Sequence, residues 1–213
     1  MGIIVGGQVE IRLIEPDDLP VIAGIHMLAF PNAALTALGK EAVRRYYQWQ
    51  IEGPHDLHAT IAQVRGKTAG FSFAGHFRGH LIGYLRRNRG YLFLNTLRRP
   101  WLLANPLFQD RLRYGLTTVR RKLGKPVPRK DATEARRFGI LSVAVNPAFQ
   151  GCGVGHALMQ DAEQEARRLG VATMSLTVHP DNEQAVRFYE HQRWYRMFDG
   201  NGRWIGHMQK DLA

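Results

Sequence analysis

The sequence predicts an α/β fold with one sizeable core, interrupted by a basic helical insertion. Three observations predict it. Segments with period-two apolar alternation interleave with segments of helical period along the chain. A Gly-rich stretch, QGCGVGH at residues 150–156, separates a buried strand pattern from an amphipathic helix pattern. Residues 76–138 lose the strand rhythm and hold sixteen Lys and Arg against only Asp110, Asp131 and Glu134.

Taken in order, Val9, Ile11 and Leu13 alternate with Glu10 and Arg12, as in a half-buried strand. Pro16, Asp17 and Asp18 suit a helix start. Leu19, Ile22, His26 and Ala29 then share one helical stripe, which Pro31 and Asn32 break. A second helix spans residues 39–51 with Val43, Tyr46, Tyr47 and Ile51 inward. Residues 58–64 and 68–75 are strands joined by Arg65, Gly66 and Lys67 in a hairpin. The basic block follows, mixing Leu, Tyr, Phe and Trp with Arg. It predicts two or three short helices cut at Pro100 and Pro106, with residues 125–137 as an exposed connection.

Residues 138–145 (FGILSVAV) are a buried strand. Beyond the glycines, a helix buries Val154, Ala157, Leu158, Ala162, Ala166 and Leu169. Asp161, Glu163, Glu165, Arg167 and Arg168 fall mostly off that face, and Gly170 ends the helix. Met174, Leu176 and Val178 alternate with Thr173, Ser175 and Thr177 in another strand. Residues 180–192 are a helix that Asp181 or Asn182 caps. Residues 194–198 and 204–210 flank Asp-Gly-Asn-Gly, a hairpin signal.

Composition narrows the function classes. With 45% hydrophobic and 22% charged residues, the chain reads as an ordinary globular protein. The single cysteine, Cys152, rules out a disulfide framework within the chain and points to a reducing compartment. The N-terminus lacks the charged start and apolar run of a signal peptide, and no apolar run reaches membrane-spanning length. A cytoplasmic location is expected, with contact at the inner membrane surface open to the basic block. That block carries +13, and the remainder, thirteen basic against fifteen acidic residues, carries −2.

The glycine turn has its own physics. Alternate glycines let backbone N–H groups converge on a ligand, and the helix that follows adds its positive end. The result is an anion site suited to a phosphate or pyrophosphate. A P-loop would need Lys and Ser or Thr after Gly155, where His156 and Ala157 stand. A dinucleotide fingerprint would need glycine at 156 and an acidic residue on the next strand, and both are missing.

The stretch resembles the GNAT (GCN5-related) acetyltransferase superfamily. Gln150, Gly153 and Gly155 match the family's Gln/Arg-x-x-Gly-x-Gly/Ala turn. Asn182, Ala185, Phe188 and Tyr189 match its Asn-x-x-Ala-x-x-Phe-Tyr helix, although Arg193-Trp194 stands where Gly-Phe is usual. The resemblance covers residues 8–75 by element order and 139–211 by order and both motifs. It implies one domain over residues 1–213 with a mixed, mostly antiparallel sheet and helices on both faces; the basic helical insertion at 76–138, between the third and fourth strands, departs from the family, which joins those strands by a short turn.

The resemblance also implies acetyl-CoA as co-substrate; the histidines show no metal-ligand spacing, so no metal is expected. Its pyrophosphate would lie on the backbone of Gly151, Cys152, Gly153, Val154, Gly155 and His156, with Gln150 nearby. Its pantetheine arm would run between two splayed parallel strands, pairing with Val143 and Val145. An N–H at Val143 or Ala144 would polarise the thioester, and Asn182 would hold the arm from the other side. Tyr189 is similar to the family's general acid. The Glu that the family often places on the preceding strand is absent, which leaves His76, Glu134 and His179 as candidate bases.

The acceptor implied is a primary amine on a small molecule, an amino sugar or a protein. The competing reading is a non-catalytic acyl-CoA-binding module that docks to anionic membrane or nucleic acid through the insertion. Three side chains carry plainer expectations. Phe188 suits the core better than Tyr189. Cys152 is a turn residue whose thiol faces aside rather than a nucleophile. His156 either touches a phosphate or sits exposed in the first helical turn.

Overall fold

Period-two segments and tight turns build one seven-stranded sheet. The computed structural model describes residues 8–99 and 138–212. Its strands are β1 (Val9–Leu13), β2 (Asp56–Val64), β3 (Lys67–His76), β4 (Phe138–Val145), β5 (Thr173–Thr177), β6 (Tyr195–Phe198) and β7 (Trp204–Asp211). Helices α1 (Leu19–Ala29), α2 (Ala34–Ala37) and α3 (Lys40–Glu52) lie between β1 and β2. Helices α4 (His80–Arg87) and α5 (Arg89–Leu97) follow β3. Helix α6 (Val154–Arg168) joins β4 to β5, and α7 (Glu183–His191) joins β5 to β6. The strand order is β1-β2-β3-β4-β5-β7-β6. Among the described residues only β4 and β5 run parallel, so the sheet is mixed and mostly antiparallel, as expected.

Local chemistry explains the turns. Arg65 (φ 52°) and Gly66 (φ 71°) are successive left-handed residues, which matches the twist of a two-residue hairpin, and Lys67 already belongs to β3. Between β6 and β7, the Asp199 carboxylate accepts the N–H groups of Asn201 and Arg203.

Helices cover both faces. On one, Leu19, Ile22, Val43 and Tyr47 pack against Ile61, Phe71 and Phe73. On the other, α6 sets Val154 and Leu158 against Ala62, Val64 and Ala69. Farther along, its Met159, Ala162 and Ala166 meet Phe138, Ile140, Met174 and Met208.

Several expectations need correcting. Leu169 is 50% exposed because α6 has ended: Gly170 (φ 71°) reverses the chain, Val171 N–H bonds the Ala166 carbonyl, and Val171 takes the apolar place. Glu163 is only 5% exposed, because Lys210 Nζ meets it at 2.6 Å from β7. Past Pro31 and Asn32, the short α2 was not visible in the patterning.

In the basic block, α4 and α5 divide at buried Asn88, whose side-chain amide donates to the Tyr84 carbonyl, a break that the patterning did not show. Helix α4 packs on α3: a Cβ on Gly83 would collide with the Trp49 ring, and Tyr84 donates to the Ala42 carbonyl. The rest of the block, with the expected cuts at Pro100 and Pro106, lies outside the described residues. Among the described residues no helix is long and apolar enough to cross a membrane.

Candidate active site

The parallel pair at the sheet's centre opens. Strand β4 pairs with β5 only through Phe138, Gly139 and Ile140. From Ser142 to Val145 it pairs with β3 alone, which leaves a gap on its β5 side. The Asn146 N–H donates to the Ala69 carbonyl at 2.8 Å. Backbone groups alternate along an antiparallel ladder. Ala144 and Ser142 therefore turn theirs to β3, and Val143 and Val145 turn theirs to the gap. Of the two amides expected to polarise a thioester, Val143's faces the gap and Ala144's faces β3.

The glycine turn sits at the far end of that gap. Asn146 anchors the start of the bend by accepting the Ala148 N–H. Gly151 (φ 77°) and Gly153 (φ 78°) both take left-handed conformations that side chains disfavour. Helix α6 starts at Val154 with no side-chain cap, so its first N–H groups at Val154, Gly155 and His156 lack helical partners and point out of the turn. His156 and Gln150 are exposed. Cys152 is half-buried, its thiol directed back at the Gln150 carbonyl at 3.8 Å.

Helix α7 closes over this turn. A Cβ on Gly155 would come within 3.1 Å of the Phe188 ring and 3.6 Å of Val145, so glycine there lets α6, α7 and β4 meet. This position reverses the expectation for the two aromatics. Phe188 rides over the turn half-buried, whereas Tyr189 is 9% exposed in the core shared with Phe138 and Ile140. Burial pushes the Tyr189 phenol up to about 12, so it keeps its proton at neutral pH. Asn182 is exposed and caps α7, accepting the Ala185 N–H at 3.1 Å. Arg193 takes φ 66° where the family pattern has glycine, and Trp194 is buried.

The other candidates are dispersed. His76 closes β3 with its ring edge-on to Phe138. His179 is exposed, 3.7 Å from Asp181. Glu134 lies outside the described residues. Among the described residues no cluster of His, Cys, Asp or Glu could hold a metal ion. A cavity of about 300 Å³ bounded by Pro180, Glu183, Val186, Arg187, Arg196 and Trp204 lies between α7 and the β6–β7 hairpin; it includes no residue of the glycine turn or β4.

Patterning missed a buried polar chain on the opposite face. His26 Nδ1 lies 2.8 Å from the Tyr47 hydroxyl, which lies 2.9 Å from Ser142 Oγ on β4. Tyr47 was expected only to face inward, and nothing in its spacing signalled the partner 95 residues away.

An open parallel pair, a glycine turn at its end and a closing aromatic helix define an acyltransferase-like cleft. The model of the acetyltransferase (GNAT) family matches residues 25–193, most of the chain, and the protein belongs to that family. A curated relative is the [ribosomal protein bS18]-alanine N-acetyltransferase of Escherichia coli (strain K12), 37% identical over 51 residues. That match covers 24% of this chain and 34% of the relative, so the chain spans about a third of the length of the curated relatives it matches. Among solved structures, the PaiA N-acetyltransferase from Thermoplasma acidophilum in complex with coenzyme A has TM-score 0.55 at 12% identity, covering 96% of this chain and 99% of that one. The structure of yncA from Salmonella typhimurium with its cofactor acetyl-CoA has TM-score 0.54 at 18% identity, covering 96% of this chain and 94% of that one. At these identities the likeness is one of fold.

Proposed function

We propose that the protein is an N-acetyltransferase that moves an acetyl group from acetyl-CoA to a primary amine by direct attack. One observation carries the reading: a gap edged by the free backbone of Val143 and Val145 ends at a turn of left-handed glycines with uncapped helix amides. The fold neighbours crystallised with coenzyme A or acetyl-CoA support the same ligand. The backbone of residues 151–156 would take the pyrophosphate, with Gln150 beside it, and the pantetheine arm would pair along Val143 and Val145 as an added strand.

The acceptor attacks as the free amine, forming the C–N bond, and the Val143 N–H stabilises the tetrahedral oxyanion. The C–S bond then breaks, and Tyr189 gives its proton to the departing thiolate. The proton lost by the amine restores the phenol through solvent. A protein N-terminus is the acceptor class favoured by the name of the bS18-alanine relative.

The test is thiol release from acetyl-CoA with a panel of amines, including peptides with N-terminal alanine. Coenzyme A affinity is measured in parallel by calorimetry. Turnover with at least one amine is expected. Tyr189→Phe should lower kcat roughly a hundredfold while leaving coenzyme A affinity nearly intact. Tight coenzyme A binding with no turnover on any amine would favour a non-catalytic binding module, and unchanged turnover in Tyr189→Phe would remove the role given to Tyr189.

A further inference from the structure

Strand β4 carries a bulge at the point where the gap opens. Ser142 opposes Phe73 and Ile140 opposes Ala74, so Leu141 has no partner on β3. Two successive side chains consequently face the same way: Leu141 packs with the α1–α3 cluster, and Ser142 reaches Tyr47 of α3. Ile140 and Val143 both pack on the α6 side. In an unbulged strand, every residue beyond this point would change face and its N–H would change side. The bulge is therefore what turns the Val143 N–H toward the gap.

The hydroxyl of Tyr47 is well fixed. Its ring is fully buried against Phe71 (5.1 Å) and Phe73 (4.6 Å), and His26 Nδ1 lies 2.8 Å from the same oxygen that meets Ser142. Resting on the acetyl-transfer reading above, we infer that Tyr47 and Ser142 are positioning residues: their hydrogen bond pins the β4 bulge and thereby aims the Val143 amide at the thioester carbonyl.

A proton relay through the same atoms is the competing account. It has no outlet. His26 Nε2 is buried without a hydrogen-bond partner among the described residues, so the chain of polar groups ends in the core.

The experiment compares Tyr47→Phe, Ser142→Ala, the double variant and Ser142→Thr. Melting temperature, calorimetry with coenzyme A, steady-state kinetics and the Val143 amide resonance without ligand are measured for each. We expect Tyr47→Phe and Ser142→Ala to lower kcat roughly ten- to hundredfold, as misplaced groups do, with KM for acetyl-CoA unchanged. The double variant should be no worse than either single one, because both remove the same bond. Ser142→Thr keeps the hydroxyl and should recover most of the rate. The Val143 amide resonance should move in Tyr47→Phe without any ligand.

A wild-type kcat in folded Tyr47→Phe, multiplicative losses, a Thr variant as poor as Ala, or an unmoved Val143 resonance would each overturn the inference. If Tyr47→Phe does not fold, the Ala and Thr variants at Ser142 decide it. Failure of the wild type to bind coenzyme A would instead strike the underlying function, and this inference would fall with it.

Discussion

Burial decides the charge of His26. The ring lies in the core between α1 and α3, edge-on to Phe30 and Tyr47, and desolvation brings it from 6.5 to about 4. The folded state therefore binds fewer protons than the unfolded state between these values. The stabilisation is complete above pH 6.5 and is lost as pH falls toward 4, by about 3 kcal/mol in all. His55 and His80, also lowered by burial, act in the same direction. Denaturant titrations from pH 7 to pH 4.5 should show falling stability with a smaller slope in His26→Asn, and the difference isolates this ring; equal slopes would refute its neutral burial. Single residues also mark where the sequence was readable. The glycine spacing announced the turn without any structure. The order of burial at Phe188 and Tyr189 was not readable, because it depends on Phe188 covering Gly155 on a different helix. Glu163 shows the same limit: its charge argued for the surface until Lys210 met it from β7.

Among the elements, β4 holds both the legible and the hidden part of the site. FGILSVAV reads as a buried strand because seven of its eight residues are apolar or glycine. That uniformity conceals the bulge, since a continuous apolar run gives no alternation from which a change of face could be read. Ser142 was the one irregular residue, and it is where the faces change. The pairing makes a direct prediction. In the free protein, the Val143 and Val145 amides should exchange with solvent faster than those of Ser142 and Ala144, which β3 holds. Saturating coenzyme A should slow Val143 and Val145 selectively. Equal protection of all four before ligand, or no change after it, would contradict the open edge. Both hairpins and α6 were legible because turn chemistry and helical period are local; the Asn88 break was not, because it depends on a side-chain bond back to Tyr84.

For the molecule as a whole, the sheet is two sub-sheets, β1 to β4 and β5 to β7, joined by three residue pairs. Helix α6 bridges them, since its first half packs on β2 and β3 and its second half on β4, β5 and β7. The ion pair from Glu163 to Lys210 ties the same helix to the second sub-sheet. A ligand arm lying along Val143 and Val145 would fill the seam that these contacts leave open, so binding should strengthen the connection between the halves. Ligand at about a hundred times its Kd adds roughly 2.7 kcal/mol to the folded state. For a chain of this size that is a rise in Tm of roughly 5–10 °C. The control is 3′-phosphoadenosine 5′-diphosphate, which offers the glycine turn the same diphosphate but has no pantetheine. Compared at equal concentration, it should raise Tm less than coenzyme A does. An equal rise would mean that the turn alone carries the binding and the seam between the sub-sheets contributes nothing; a smaller rise would assign the difference to the seam.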